Sequence, residues 1–259
     1  MNLDAPLPAD AAKIDIGGRS LALWRRGSGA PTVILEAGLG GTSADWSAVF
    51  DGIAAFTQVC SYDRAGLGHS DPAPTPRTAA DLAADLAALL ARAAIAPPYI
   101  LVGHSLSGMH LRLFASQRPD RLDGLVLIDA THEDKYAAMK SVLSPELQDR
   151  FQAYLDDPTR NSEQIDVPAS VRQLQSGRRP LPCTVAVLAR GRADAPSDIW
   201  PSAQLQAIEL ESMRRFADEA ASSVVRIAQH SGHFIQRDQP ELVIGQIRDL
   251  VMAARTPAG

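Results

Sequence analysis

The chain predicts a doubly wound α/β fold, a mostly parallel sheet with helices on both faces. Short apolar runs alternate with stretches of helical periodicity along most of its 259 residues. Hydrophobic residues make up 46%, enough for a large core at a length that α/β architectures use as one domain, here 1–259. The apolar run Tyr99-Ile100-Leu101-Val102 leads through Gly103-His104-Ser105-Leu106-Ser107-Gly108 into a helical segment, a strand that turns sharply with a serine at the corner.

Residues 14–24 and 32–36 read as strands, parted by the Gly- and Pro-bearing turn 26–31. A third strand, 57–62, runs into a loop at 63–76 too rich in Gly and Pro for regular structure. Helical text begins after Thr78, where Asp81 stands at capping-box spacing and Leu82, Leu86, Leu89 and Leu90 share a face; Pro97-Pro98 ends it. After the strand at 99–102 come a helix over about 105–117 and a strand at 125–128. Residues 129–181 break the alternation with charged helical pieces at 133–142 and 145–155, so about 131–181 is expected to form a lid inserted in the domain. Beyond it follow a strand at 184–189, a helix at 204–217, a strand at 223–228 and a final helix at 240–253 opened by Pro240.

A net charge of −5 without a basic stripe argues against nucleic acid and anionic membrane surfaces as partners and favours a small molecule. Cys60 and Cys183 lie in apolar runs without a C-x-x-C pair, which predicts buried thiols rather than a disulfide. Residues 1–10 lack the basic start and apolar core of a leader, and no window approaches 18 apolar residues, so a soluble, cytoplasmic protein is expected. The oligomeric state is left open.

Ser105 is the candidate nucleophile, because a strained strand-to-helix corner holds its hydroxyl beside a helix N-terminus whose free N–H groups favour developing negative charge. A free hydroxyl is barely ionised at neutral pH and needs a base. His233 is the candidate, in a Gly-containing loop between a strand and the last helix. The other histidines receive structural readings: His69 in a loop, His104 in the corner with its side chain turned away, His110 on the following helix, His132 opening the insertion and His230 ending a strand. His230-x-x-His233 has no companion ligand at metal spacing, so no metal is expected.

Four segments occur in a telling order: Ala37-Gly38-Leu39-Gly40-Gly41, Asp63-Arg64-x-Gly-x-Gly-x-Ser70, the hexapeptide at 103–108, and Ser231-Gly232-His233-Phe234. Together they resemble the α/β-hydrolase superfamily over nearly the whole chain, with Ser107 where the G-x-S-x-G pattern has its last Gly and Ala37-Gly38 where that family usually has His-Gly. The resemblance implies a Ser–acid–His triad, an oxyanion hole from the backbone N–H groups of Leu106 and Leu39, and no cofactor. Two acids fit its chain order. Asp194 matches the commoner G-x-x-D loop, while Asp129, at a strand end, occupies the place used by a minority of members; the rigid strand end favours Asp129. Tyr136, Met139 and Phe151, with Trp46 and Trp200, either line a substrate pocket or fill the core.

The function expected is hydrolysis of a small carboxylic ester or lactone through an acyl-enzyme. C–C bond or amide hydrolysis would use the same residues, and a non-catalytic ligand receptor on this fold is the reading from a different class.

Overall fold

The computed structural model describes residues 11–193 and 199–256. Eight strands form one sheet: β1 (Ala11–Asp15), β2 (Ser20–Arg26), β3 (Thr32–Glu36), β4 (Val59–Tyr62), β5 (Tyr99–His104), β6 (Leu122–Ile128), β7 (Leu181–Arg190) and β8 (Ala220–Ala228). Their spatial order is β1-β2-β4-β3-β5-β6-β7-β8; β1, β2 and β4 pair antiparallel, and β4 through β8 pair parallel. The strand expected at 14–24 is a hairpin instead. Gly17 and Gly18 take φ of +99° and +94°, and the Ile16 N–H donates to Arg19 O at 2.9 Å. A Gly-Gly pair is turn chemistry, masked in the sequence by alternation that continues on both sides of it.

The helices are α1 (Ser47–Ala54), α2 (Ala79–Arg92), α3 (Ser107–Gln117), α4 (Lys135–Val142), α5 (Pro145–Asp156), α6 (Val167–Gly177), α7 (Ser202–Asp218), α8 (Ile235–Asp238) and α9 (Pro240–Arg255). The Thr78 N–H donates to the Asp81 carboxylate at 2.8 Å, which supplies a backbone donor at the start of α2 with an acceptor. Helices α1 and α6 fall where no helix was expected. Helix α1 has only eight residues, and α6 carries few apolar residues among polar ones, so neither stands out in the sequence.

Strands β3, β5, β6 and β7 are buried on both sides, and their residues alternate between two cores. Ile34, Leu101, Leu127 and Val187 join Leu86, Leu111, Phe114 and Phe216 of α2, α3 and α7. Val33, Val102, Val126 and Leu188 join Val49, Ile53, Ile247 and Val251 of α1 and α9 on the other face. A period of two in near-continuous apolar runs is what a parallel sheet covered on both faces requires. Both cysteines are free and buried, and burial pushes each thiol up to about 11.

Between β6 and β7 the chain leaves the sheet as α4, α5 and α6. A third apolar cluster joins this insertion to the body, with Leu155, Ile165, Val167 and Leu174 against Leu82, Leu106, Met109 and Leu113. Among the described residues no helix is long and apolar enough to cross a membrane.

Phe114 is fully buried between α3 and the sheet. Phe114→Ala is expected to destabilise the protein by about 3–5 kcal/mol, read as a lowered urea midpoint at unchanged m. A loss below about 1 kcal/mol would show that this layer repacks freely.

Candidate active site

Strand β5 ends at His104, and the chain enters α3 through two residues, Ser105 at φ +55° and Leu106. The left-handed region costs a non-glycine residue about 1–2 kcal/mol. Three main-chain bonds hold it: the Ser105 N–H donates to Ile128 O (3.1 Å), and Ser105 O accepts from Gly108 N (3.1 Å) and Thr131 N (2.9 Å). Close packing of α3 on the strands explains the flanking glycines. A Cβ on Gly103 would lie 2.7 Å from Leu111 Cδ1, and one on Gly108 would lie 2.6 Å from Ala130 Cβ. Ser107 needs no such space. Its buried hydroxyl lies 2.8 Å from His104 O and 3.0 Å from Glu36 O, so it satisfies the ends of β5 and β3 where glycine would leave them bare.

His233 stands in the loop between β8 and α8, and its Nδ1–H donates to Asp129 Oδ2 at 2.6 Å. That bond sets the tautomer and leaves Nε2 with a free lone pair. Asp129 follows β6 at φ +42°, its N–H donating to Leu188 O at 2.7 Å. Its carboxylate is buried and shared: Arg190 Nε at the end of β7 lies 2.7 Å from the same Oδ2. Burial alone would raise the Asp129 pKa, but the His233 hydrogen bond and the Arg190 guanidinium outweigh it and hold the carboxyl below its ordinary value. Asp194 lies outside the described residues.

His104 departs from its expected orientation. Its ring faces the site, with centroids 4.5 Å from His233 and 5.0 Å from Phe234, and its Nε2–H donates to the His233 carbonyl at 2.9 Å. Burial, with the neighbouring His233 ring, lowers its pKa to about 3, so it stays uncharged beside His233. From the sequence this histidine, directly after Gly103, reads as turned away from the site; only the closeness of the 233 loop gives it this contact.

Opposite stands the loop after β3. Gly38 lies so close to the corner that a Cβ there would be 3.0 Å from both Ser105 Cβ and His104 Nδ1. Among the described residues no protein acceptor takes the N–H of Leu39 or of Leu106. Gly38, Leu39, Ser105, His104, His233 and Phe234 line one cavity of about 380 Å³, with the Arg237–Asp45 ion pair (2.5 Å) also on its wall.

The motif at 63–70 holds this loop from behind. Asp63 accepts from the N–H groups of Ser43 (2.8 Å) and His69 (2.9 Å), and Ser70 Oγ donates to Asp63 O at 2.6 Å. Arg64 donates to Ala37 O (2.5 Å) and Gly38 O (2.6 Å) and forks onto Glu163 of the insertion at 2.8 and 2.6 Å. Glu163 also accepts the Gly40 N–H at 2.7 Å. Burial raises the Glu163 pKa, yet Arg64 and the Gly40 N–H bring it below the usual carboxylate range. Sequence reading missed Glu163 altogether, since an acid in a charged insertion carries no local signal.

Tyr136 and Phe151 pack against the cluster that contains Leu106 and Met109; Met139 is half-buried on α4, and none of the three lines the cavity beside Ser105. Trp46 is core, and Trp200 is exposed. Elsewhere His132, Glu133 and Glu219 bring potential ligand atoms within 4.8 Å of one another. Arg112 pairs with both carboxylates, and Arg178 adds a 2.7 Å contact to Glu133, so guanidinium ions already neutralise this cluster.

A family model described as alpha/beta hydrolase fold matches residues 31–239. The uncharacterized protein YqjL of Bacillus subtilis is 27% identical over 235 residues, covering 89% of this chain and 87% of that one. A probable transporter, efuK, of Hormonema carpetanum is 35% identical over 150 residues, 54% of this chain; the match spans only 22% of that protein's length. Among solved structures, a thermophilic esterase from Thermogutta terrifontis superposes with a TM-score of 0.65 at 22% identity, over 96% of this chain and all of that one.

Because the folded Asp129 pKa is depressed, the stability it contributes is complete above its ordinary value of 3.8 and is lost as pH falls through the lower folded value. The difference in unfolding free energy between wild type and Asp129→Asn is therefore expected to shrink as pH drops from about 5 to about 2.5. Urea titrations at the two pH values check this, and an unchanged difference would contradict the depressed pKa.

Proposed function

The chain belongs to the α/β-hydrolase fold family, and on that premise we propose that it is a serine hydrolase of small carboxylic esters or lactones. The observation that carries the proposal is the contact of His233 Nδ1 with the buried Asp129 at 2.6 Å, on the wall of the cavity that holds Ser105 at its left-handed corner. A ligand receptor would have no use for a carboxylate buried at a cost and aimed at an imidazole.

Ser105 Oγ attacks the carbonyl carbon while its proton passes to His233 Nε2. Negative charge moves to the carbonyl oxygen, where the unclaimed N–H groups of Leu39 and Leu106 receive it. The tetrahedral intermediate collapses by breaking the bond to the alcohol oxygen, which takes the proton from His233 and leaves an acyl-enzyme. Water then attacks the acyl carbon as His233 takes its proton, and collapse returns that proton to Ser105 Oγ and releases the acid. Asp129 holds the imidazole in the required tautomer and stabilises the imidazolium twice per turnover. His104, uncharged at neutral pH, adds no repulsion when that cation forms.

The insertion is proposed to act as a lid that sets acyl preference, because Tyr136 and Phe151 press on the cluster that carries Leu106. Substitutions at Tyr136, Met139 or Phe151 are expected to shift the preferred chain length among p-nitrophenyl esters without loss of fluorophosphonate labelling. A change in thermal stability alone would make the segment scaffold.

Ser105→Ala is expected to remain folded and to lose turnover of a short p-nitrophenyl ester by a factor on the order of 10³ or more, together with fluorophosphonate labelling. A folded Ser105→Ala enzyme with wild-type turnover would overturn the proposal.

A further inference from the structure

Leu39 occupies the centre of a loop whose neighbouring peptide groups are all claimed from behind. In a trans peptide the C=O and the following N–H point in opposite directions across a rigid plane. Gly38 C=O and the Leu39 N–H belong to one such plane. Gly38 O is held by Arg64 Nη2 at 2.6 Å and by the Gly41 N–H at 3.0 Å, so the Leu39 N–H must face away from Arg64. The next plane, Leu39 C=O with the Gly40 N–H, is fixed by Glu163 Oε1 at 2.7 Å, and the preceding plane by Arg64 Nη1 on Ala37 O at 2.5 Å.

The two side chains that hold these planes also lock each other. Arg64 presents Nε and Nη2 to the two Glu163 oxygens at 2.8 and 2.6 Å, a two-pronged match in which both side chains are buried. Glu163 comes from the insertion, and its neighbour Ser162 sits so near the loop that a Cβ on Gly40 would lie 2.7 Å from Ser162 Oγ.

Resting on the assignment of Leu39 as an oxyanion donor, we propose that Arg64 and Glu163 are positioning residues that aim the Leu39 N–H into the cavity. The insertion thereby contributes to transition-state stabilisation through Glu163, without touching substrate. Glu163→Gln keeps an acceptor for the Gly40 N–H but loses the fork with Arg64. The double variant Arg64→Met/Glu163→Leu removes both members of the fork, and it also takes from Glu36 the guanidinium 3.5 Å away, leaving that carboxylate with His110.

The test measures kcat and KM for a short p-nitrophenyl ester, the inhibition constant of a trifluoromethyl ketone, whose adduct carries an oxyanion, and the pH–rate profile. Glu163→Gln is expected to lower kcat about 10²-fold, the scale of a misplaced catalytic group, with KM little changed. Ketone affinity should fall in step with kcat/KM, and the acidic limb of the pH profile should stay in place because the His233–Asp129 pair is untouched. The double variant should lose as much activity while staying folded, with a Tm lowered by the loss of the Arg64 contact to Glu36.

A folded variant with wild-type kcat and ketone affinity would overturn the proposal, as would a loss confined to KM or one that moves the pH profile. Failure of both variants to fold would also overturn it, assigning the pair to stability alone. A wild-type protein that neither turns over esters nor binds the ketone would remove the hydrolase reading itself, and this inference with it.

Discussion

A serine at φ +55° lies uphill by about 1–2 kcal/mol from ordinary backbone, and three main-chain hydrogen bonds hold the chain between β5 and α3 in that conformation. Ser105 N–H closes on β6, its carbonyl takes the N–H groups of Gly108 and Thr131, and Gly108 lets α3 press against Ala130. Every other part of the site is placed relative to this corner. Gly38 approaches it from β3, Asp129 leaves β6 beside it, and His104 reaches from the end of β5 to the carbonyl of His233.

Two ionic chains, one buried and one half-buried beyond Asp129, flank the corner, and each answers the same physical demand, that a charge removed from water must find a partner. On one side Asp129 is shared by His233 and Arg190, whose Nη2 lies 3.8 Å from Glu209, and Glu209 meets Lys135 at 2.5 Å. On the other, Arg64 stands between Glu163 at 2.6 Å and Glu36 at 3.5 Å, and Glu36 meets His110 at 2.6 Å. Burial works against ionisation of these carboxyls, and nearby cations reverse it for Asp129, Glu163 and Glu36. The insertion supplies a member to each chain, Lys135 and Glu163, so it is coupled electrostatically to both sides of the cavity.

Local chemistry made much of the fold legible. The apolar runs of β3, β5, β6 and β7, the capping pair at Thr78 and Asp81, and the strand–serine–helix junction depend on neighbours within a few residues, and those dependencies survive in a linear string. The hairpin at 16–19 was legible in principle, since Gly17-Gly18 is a turn signal, but alternation on both sides outweighed it. Helix α6 was harder to see, because its partners Leu82 and Leu113 belong to distant segments and it carries few apolar residues of its own.

The sequence by itself determined the architecture, the corner that exposes Ser105 and the identity of His233 as the histidine in a loop over the sheet edge, because periodicity and turn chemistry are local. Only the tertiary structure decided which groups meet there. The Asp129–His233 contact spans 104 residues, the Arg64–Glu163 fork spans 99, and His104 became a wall of the cavity only because the 233 loop folds onto it. A side chain's direction at a strand end, and the partner it finds, depend on φ at one residue and on the register of strands far apart in the chain, neither of which a linear pattern encodes.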